Sequence, residues 1–332
     1  MEQTISLAHG DGGELSHHLI QEVFVKAFGN KEESKFDAAV ISMQQGKIAV
    51  TTDSFVVKPL FFPGGSIGKL AVAGTVNDLA VSGAKPLYLT CGFIIEEGFL
   101  LKDLKTIVQN MADEATKAGV VLVAGDTKVV ERGSCDGVFI NTTGIGVIHE
   151  DTIVPSFEEG DAVIVSGTIG DHGIAIISAR GDLGITSPVQ SDCASLNHML
   201  EEVTTASKQV RIMRDPTRGG LTSTLVEIAE DFGVTITLEE DLIPIKDEVH
   251  GACDLLGYDP MFLANEGKAI IIVANEDKEK VLDAIRQLPE GQDAVCIGKV
   301  SDISKGQLLL ETPLGVKRAL HRLSGIMLPR IC

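Results

Sequence analysis

Four short segments of the sequence each place an aspartate among apolar or small residues. Carboxylates without neighbouring histidines suit Mg²⁺, a hard cation that takes oxygen ligands and binds phosphates through its remaining positions. Two of the four follow predicted strands, where α/β proteins place ligand-binding groups, and a third lies in a predicted helix. Any one alone could be a cap, turn or surface residue, but the four together predict a metal site. They are Asp37 in KFDAAV, Asp53 in TTDSFV, Asp78 in TVNDLA and Asp126 in AGDTKVV.

Three glycine-rich stretches could bring backbone N–H groups to a phosphate. They are GDGG at 10–13, FFPGGSIGK at 61–69 and DPTRGG at 215–220. None is a Walker A motif or a dinucleotide-binding fingerprint, and alone each is typical of a plain turn. Two of them lead into helices predicted to begin near Ser66 and Gly219, where free N–H groups attract anions. Lys69, Lys128 and Arg218 offer the positive charge that an anionic nucleotide needs.

The segment FLANEGK places Asn265 and Glu266 directly before a predicted apolar strand. A carboxylate at the mouth of a strand is a candidate general base. His172, in GDHG, is a second candidate, and the sequence leaves the choice between the two open.

Cys332 is the last residue of the sequence, and three functions compete with an accidental cysteine there: a lipid anchor, a redox or metal site, and a carrier arm for a reactive group. A prenylation signal needs its cysteine four residues from the end, so the lipid anchor is excluded. The other five cysteines lie far apart and are expected to be mostly small buried residues. A single thiol is a poor metal site. Two explanations of Cys332 remain: a carrier arm for a reactive group, and a terminal cysteine without a function.

The elements that must position these residues alternate between strand-like and helix-like stretches, which predicts mixed α/β and α+β architecture. In the first half, predicted strands are AAVISM, KIAVTTD, PLYLTCGFII, VVLVAGD (a buried strand) and GVFINTTGIGVI, and predicted helices end near Gly83 and at Gly119. In the second half, predicted strands are AVIVSG, VTITL, GKAIIIVA and segments near 295–300 and 307–311. Predicted helices there follow GTIGDHG, run from Ser195 to Val210, open near Gly219 and cover 277–288.

A polar segment, HEDTIVPSFEEGD, interrupts the pattern and contains Pro155 and Gly160. We therefore predict a domain boundary there, with domains at 1–154 and 155–319. Residues 320–332 form a predicted tail that would span roughly 40 Å if extended, at ~3.3 Å per residue.

The composition limits the function classes. The net charge of -19 repels nucleic acid and anionic lipid, so a bound phosphate must be held locally. The N-terminus lacks the basic and apolar regions of a signal peptide, and no apolar run reaches the ~18 residues of a membrane span. The expected compartment is the cytoplasm.

Seven segments together resemble one known family. They are LAHGDGG, TTDSFVVKPLFFPGGSIGKLAVAGTVNDLAVSGAKP, AGDTKVVERG, SGTIGDHG, RDPTRGG, ANEGK and the terminal PRIC. The chain is similar from end to end to the HypE family of hydrogenase maturation proteins, within the superfamily of aminoimidazole ribonucleotide synthetase and selenophosphate synthetase. The resemblance implies an N-terminal ATP-binding and dimerisation domain without a Walker motif, a C-terminal α+β domain, and a homodimer whose N-terminal strands form a barrel.

The resemblance also implies a reaction. A carbamoyltransferase, HypF, places a carbamoyl group on the thiol of Cys332, and ATP is then used to dehydrate the thiocarboxamide to a thiocyanate. The cyano group passes to an iron carrier, the HypC–HypD complex, for the [NiFe]-hydrogenase centre. The cofactors are ATP and Mg²⁺, and no nucleic acid or membrane partner is implied.

The resemblance assigns roles to residues of this sequence. The implied catalytic residues are Cys332, Glu266, Lys128 and His172. The implied metal ligands are Asp37, Asp78, Asp126 and Asp215, and the wider nucleotide site adds Asp53, Lys69, Asn77 and Arg218. Two other hypotheses stay open: a superfamily enzyme that phosphorylates a free amide-type small molecule, which would not use a PRIC terminus, and a non-catalytic scaffold, which would not use the carboxylates.

Overall fold

The structure is a computed structural model that describes residues 4–6, 9, 18–29, 47–150, 152–181 and 184–322. Asp37, the predicted strand AAVISM and the terminal segment with Cys332 lie outside the described residues. Residues 18–28 are helical.

The first half is built on a four-stranded sheet with the order β1-β6-β4-β5. Its strands are β1 (Lys47–Phe55), β4 (Lys85–Glu96), β5 (Val121–Val130) and β6 (Val138–Ile148). A small hairpin, β2 (Phe61–Phe62) with β3 (Gly65–Ser66), lies between β1 and the first helix. The β4–β5 pair is parallel and the other pairs are antiparallel. Among the described strands, β1 and β5 stand at the two ends of the order.

Two helices follow the strands of this sheet. They are α1 (Ile67–Val81) and α2 (Leu101–Ala118). Every residue of α1 except Lys69 and Asp78 is buried, because its small residues allow close packing on all sides. Gly119 ends α2 with a positive φ of 71°, as the sequence predicted.

The second half is built on a seven-stranded sheet with the order β13-β12-β9-β11-β7-β10-β8. Its strands are β7 (Ala162–Val165), β8 (Val210–Arg214), β9 (Thr235–Glu239), β10 (Ile270–Val273), β11 (Val295–Asp302), β12 (Gln307–Glu311) and β13 (Lys317–Leu320). Among the described strand pairs of this sheet, β9–β12 is parallel and the others are antiparallel. The helices are α3 (Asp171–Arg180), α4 (Asn197–Ala206), α5 (Gly220–Phe232), α6 (Asp247–Leu256) and α7 (Lys278–Ile285), and single 3₁₀ turns lie at Glu240–Leu242, Pro260–Phe262, Asn275–Asp277 and Pro289–Gly291.

Several predictions about these elements are wrong. The helix predicted from Ser195 to Val210 is shorter, because Val210 begins β8. The stretch VVLVAGD, predicted as a buried strand, lies largely in β5, whose residues are mostly exposed or partly exposed. Asp53 and Asp126 lie within β1 and β5 rather than after them.

The cysteine prediction is confirmed for the described residues. Cys91, Cys193 and Cys253 are buried, and Cys135 and Cys296 are partly buried. Among the helices that the structure describes, none is long and apolar enough to cross a membrane.

Candidate active site

A cavity of about 200 Å³ lies where the two halves of the chain meet. Residues from β1, α1, the turn before α5 and the segment before β10 line it: Thr52, Asp53, Ser54, Phe55, Gly74, Asp78, Asp215, Thr217, Arg218 and Glu266. Five of the residues predicted from the sequence therefore meet in one cavity. These five are Asp53, Asp78, Asp215, Arg218 and Glu266.

The alternation of β1 explains how Asp78 is held. Side chains on a strand point to opposite faces in turn, so Thr51 and Asp53 lie on the same face of β1. Helix α1 packs against β1, and Thr51 Oγ1 donates a hydrogen bond of 2.8 Å to Asp78 Oδ2. Sequence reasoning missed Thr51, although its spacing of two residues from Asp53 was the signal that could have found it.

The carboxylates of the cavity repel one another. Burial raises the pKa of Asp78, and the charge of Asp53 adds to this, whereas the Thr51 hydrogen bond and the charges of Arg214 and Arg218 lower it. Burial, with the charge of Asp78, raises the pKa of Asp215 to about 6. A concentration of negative charge in a poorly hydrated place is a site that a cation stabilises.

The donor set fits Mg²⁺ held jointly with phosphates. Among the described residues no three His, Cys, Asp or Glu side chains are grouped so that they could hold a metal on their own. Mg²⁺ commonly binds through one or two carboxylates together with substrate phosphate oxygens and water. The hard oxygen ligands of Asp78 and Asp215 fit that arrangement.

The start of α5 supplies the anion-binding part of the cavity. Thr217 and Arg218 line the cavity, and α5 begins two residues after Arg218, at Gly220. Free N–H groups and the dipole of a helix N-terminus favour phosphate. Gly220 has a φ of 64°, and a Cβ there would lie 2.5 Å from the carbonyl oxygen of Leu263, so the close approach of this turn requires glycine.

Asp126 does not line this cavity within one chain, so its place beside Asp78 and Asp215 stays a prediction. Asp126 pairs with Gly92, Gly92 with Asn141, and Asn141 with Ser54, which places Asp126 three strands away from β1. At about 4.8 Å per strand this is roughly 14 Å. Asp126 also shares the sheet face of Ser54, opposite to the face of Asp53. Lys128 lies on the same edge strand, is exposed, and forms an ion pair of 3.6 Å with Asp126.

Lys69 and His172 do not line the cavity either. The Nζ atom of Lys69 donates a hydrogen bond of 3.1 Å to the carbonyl oxygen of Gly64. His172 is fully buried, its Nδ1 lies 2.8 Å from Ser191 Oγ, and its ring meets that of Phe62 edge-on. Burial lowers the pKa of His172 to about 3, so the ring is neutral and away from the cavity. This arrangement favours Glu266 over His172 as the candidate base.

The side chain of Asn77 is engaged by backbone groups of residues 194 and 196. Its Nδ2 donates to the carbonyl oxygen of Ala194 at 3.0 Å, and its Oδ1 accepts from the N–H of Leu196 at 2.8 Å. Both polar ends of the side chain are therefore engaged by backbone, and Asn77 is not placed as a nucleotide ligand. Asp192, which the sequence did not single out, accepts a hydrogen bond of 3.0 Å from the N–H of Glu266. No motif in the sequence signalled it.

Two family models match the chain. The model of the AIR synthase related protein N-terminal domain matches residues 35–148, and that of the C-terminal domain matches residues 158–311. The two halves of the chain thus belong to the AIR synthase related class of proteins.

Relatives that match over the full length assign the chain to a narrower family within this class. The chain is 46% identical over 336 residues to carbamoyl dehydratase HypE of Rhodobacter capsulatus, covering 100% of this chain and 99% of the relative. A crystal structure of hydrogenase maturation protein HypE in complex with ATP matches with a TM-score of 0.94 and 44% identity, over 99% of this chain and 100% of that one. A HypE–HypF complex matches with a TM-score of 0.80 and 47% identity, over 92% of this chain and 99% of that chain. The chain belongs to the HypE family of carbamoyl dehydratases.

Proposed function

We propose that this chain uses ATP to dehydrate an S-carbamoyl group on its own Cys332 to a thiocyanate, which supplies the cyano ligand of a [NiFe]-hydrogenase iron centre. One observation carries the proposal: a single cavity joins Asp78, Asp215 and Arg218, which suit a metal-bound triphosphate, to the buried carboxylate Glu266. The HypE relative with ATP bound supports the choice of nucleotide.

The binding of ATP follows from charge. Asp78 and Asp215 would hold Mg²⁺, with Asp53 beside them, and Arg218 and the N-terminus of α5 would hold phosphate oxygens. When bound, Mg²⁺ neutralises charge on the triphosphate.

The chemistry requires an oxygen atom to leave an amide. The carbonyl oxygen of the thiocarboxamide takes the γ-phosphoryl group of ATP, which releases ADP and makes that oxygen part of a good leaving group. Loss of phosphate from carbon and of two protons from nitrogen then forms the C≡N triple bond. Glu266, which is buried in the cavity wall, is the proposed base for the nitrogen protons. The thioester-type sulfur keeps the product attached throughout.

The reaction requires two partners: a donor of the carbamoyl group and an acceptor of the cyano group. A carbamoyltransferase of the HypF type would load Cys332, and the solved HypE–HypF complex of a similar protein supports this partner. An iron carrier of the HypC–HypD type would accept the cyano group. The segment that follows β13 and ends at Cys332 would carry the group between the cavity and these partners.

Intact mass tests the proposal. The protein is incubated with HypF and carbamoyl phosphate, first without and then with Mg-ATP. Wild type should gain one carbamoyl group and then lose one water, and Cys332→Ala should show neither change. Asp78→Asn should gain the carbamoyl group and keep its water, because ATP would no longer be bound productively. An adduct that never loses water would contradict the dehydration, and activity on a free amide with unmodified Cys332 would favour the superfamily alternative.

A further inference from the structure

A short strap, residues 191–196, runs between helix α1 and the segment 265–267 that carries Glu266. The N–H of Ser191 donates to the carbonyl oxygen of Pro63, and the N–H of Ser195 donates to Glu114 Oε1 at 2.9 Å. The strap thus fastens the first half of the chain to the strand mouth of the second half.

Asn77 fixes the middle of the strap from the side of α1. Besides its bonds to Ala194 and Leu196, its Nδ2 lies 3.4 Å from the carbonyl oxygen of Glu266. Asn77 is 2% exposed, so these bonds form away from water, where an unpaired amide would be costly. Asn77 also directly precedes Asp78, the carboxylate placed at the triphosphate.

Asp192 holds the other backbone polar group of Glu266, its N–H. Its Oδ1 accepts from the N–H of Glu266 at 3.0 Å, and the N–H of Ala194 reaches the carbonyl oxygen of Glu266 at 3.4 Å. Asp192 Oδ2 is buried and has no hydrogen-bond partner among the described residues. The backbone contact is close: a Cβ on Gly267 would lie 1.8 Å from the carbonyl oxygen of Asp192.

The backbone of Glu266 is therefore held at two points: Asn77 contacts its carbonyl oxygen and Asp192 accepts from its N–H. Asn77 is also the residue directly before Asp78. We propose that Asn77 and Asp192 are positioning residues for the dehydration, which fix Glu266 relative to Asp78 and so fix the base relative to the phosphorylated oxygen. The inference rests on the proposed function of Glu266. A displacement of about 1 Å in such a geometry can cost on the order of 10²-fold in rate.

The test compares variants of the carbamoylated full-length protein in single turnover at saturating Mg-ATP, with intact mass as the readout. Asn77→Ala and Asp192→Ala should dehydrate roughly 10- to 100-fold more slowly than wild type, while the Kd for ATP changes by less than about threefold. Asp192→Asn should restore the rate to within about threefold of wild type, because its Oδ1 still accepts from the N–H of Glu266.

Ser195→Ala is the matched control. It removes the 2.6 Å bond from Ser195 Oγ to Glu114 on the same strap but leaves the peptide of Glu266 untouched. Its rate should equal that of wild type, even where its Tm falls as far as that of the other variants. If Asn77→Ala does not fold, the three-way comparison of Asp192→Ala, Asp192→Asn and Ser195→Ala decides the outcome.

Three results would overturn the inference: a wild-type rate in Asp192→Ala, a loss in Asp192→Asn equal to that in Asp192→Ala, or a loss in Ser195→Ala as large as in Asp192→Ala. Glu266→Gln separates the two claims. If Glu266→Gln dehydrates normally, the proposed base is wrong; if it is inactive while Asp192→Ala is normal, only the positioning inference fails.

Discussion

At the scale of single residues, the carboxylates of the cavity are partly buried and repel one another, which lowers the stability of the protein. Burial and the proximity of Asp78 raise the pKa of Asp215 to about 6, and burial with the charge of Asp53 raises that of Asp78. Without a cation, their charged forms lower the free energy of unfolding of the protein. Sites that bind charged ligands commonly lose stability in this way.

Asp215→Asn should therefore stabilise the nucleotide-free protein at pH 7.5 while abolishing dehydration. The pKa of Asp215 in the folded state lies above its value in the unfolded state, so folded protein binds more protons between about pH 4 and 6 and the free energy of unfolding falls as pH rises through this window. Asparagine avoids that loss, which is on the order of 3 kcal/mol. Thermal unfolding should show a Tm higher by a few degrees at pH 7.5, and the difference should shrink towards pH 5.

The exposed Asp283→Asn is the control for this prediction, because it should leave Tm unchanged at both pH values. A lower Tm for Asp215→Asn at pH 7.5 would contradict the electrostatic account. Saturating Mg-ATP should raise the Tm of wild type more than that of Asp215→Asn, because only wild type keeps both carboxylates for the cation.

At the scale of elements, sequence patterns predicted the helices and their ends correctly where these depend on neighbouring residues. Helix α2 was predicted with its end at Gly119, and α1 was predicted to end near Gly83, because periodicity and glycine caps depend on neighbouring residues. Strand β8 and helix α6 were missed, and β5 was taken as buried, because strand pairing is decided by distant segments. Candidate residues of the cavity were found by type, and five of them meet in it, but only the strand order shows that Asp126 lies three strands from β1.

The role of Asn77 illustrates why part of the site could not be predicted. Its partners are backbone groups of residues 194, 196 and 266, which no side-chain motif marks. From sequence alone, an asparagine beside a metal-type aspartate resembles a ligand. Only the folded strap shows that it is engaged elsewhere.

The turn into α5 gives a prediction at this scale. Gly220→Ala should unfold at a lower Tm and bind ATP more weakly, because its φ is 64° and backbone atoms of Met261, Phe262 and Leu263 lie within 2.7 Å of a new Cβ. We expect a loss of roughly 2–4 kcal/mol from strain and clash together. Gly233→Ala, at the other end of α5, is the matched control: its φ is 67° with nothing within 4 Å, so it should lose only about 1 kcal/mol and bind ATP normally. Equal losses in the two variants would contradict the role of the close approach.

At the scale of the whole molecule, the first sheet leaves apolar residues in solvent. Ile48 and Val50 on β1, Ile94 on β4 and Val121 on β5 are exposed, by 54%, 65%, 43% and 49%. Exposed apolar surface of this extent on a sheet is typical of an interface. We propose that a second copy of the chain covers it, as the family resemblance implies. Thr52 and Ser54 of β1 border the cavity, so a second copy packed against the exposed face of this sheet would also close the cavity.

In this proposed dimer, Asp126 and Lys128 of one copy would contribute to the cavity of the other copy. Both lie on β5, at the other end of the described strand order, on the sheet face of Ser54. In a symmetric dimer that places β5 of one copy beside β1 of the other, Lys128 of the second copy would reach the triphosphate. Lys128→Ala alone should then be inactive in dehydration although its own Asp78 is intact.

Mixing two inactive variants tests this composite site. Asp78→Asn and Lys128→Ala, dissociated and reassociated together, should recover about a quarter of wild-type dehydration, because about half of the dimers are mixed and each has one intact site. The matched control pairs Asp78→Asn with Asp215→Asn, whose defects lie on the same chain; its mixed dimers contain no intact site and should stay inactive. Val50→Lys should give a monomer by light scattering, since a charge would be buried in the interface. Recovery in the control mixture, or none in the test mixture of two folded dimeric variants, would show that Lys128 does not act across the interface.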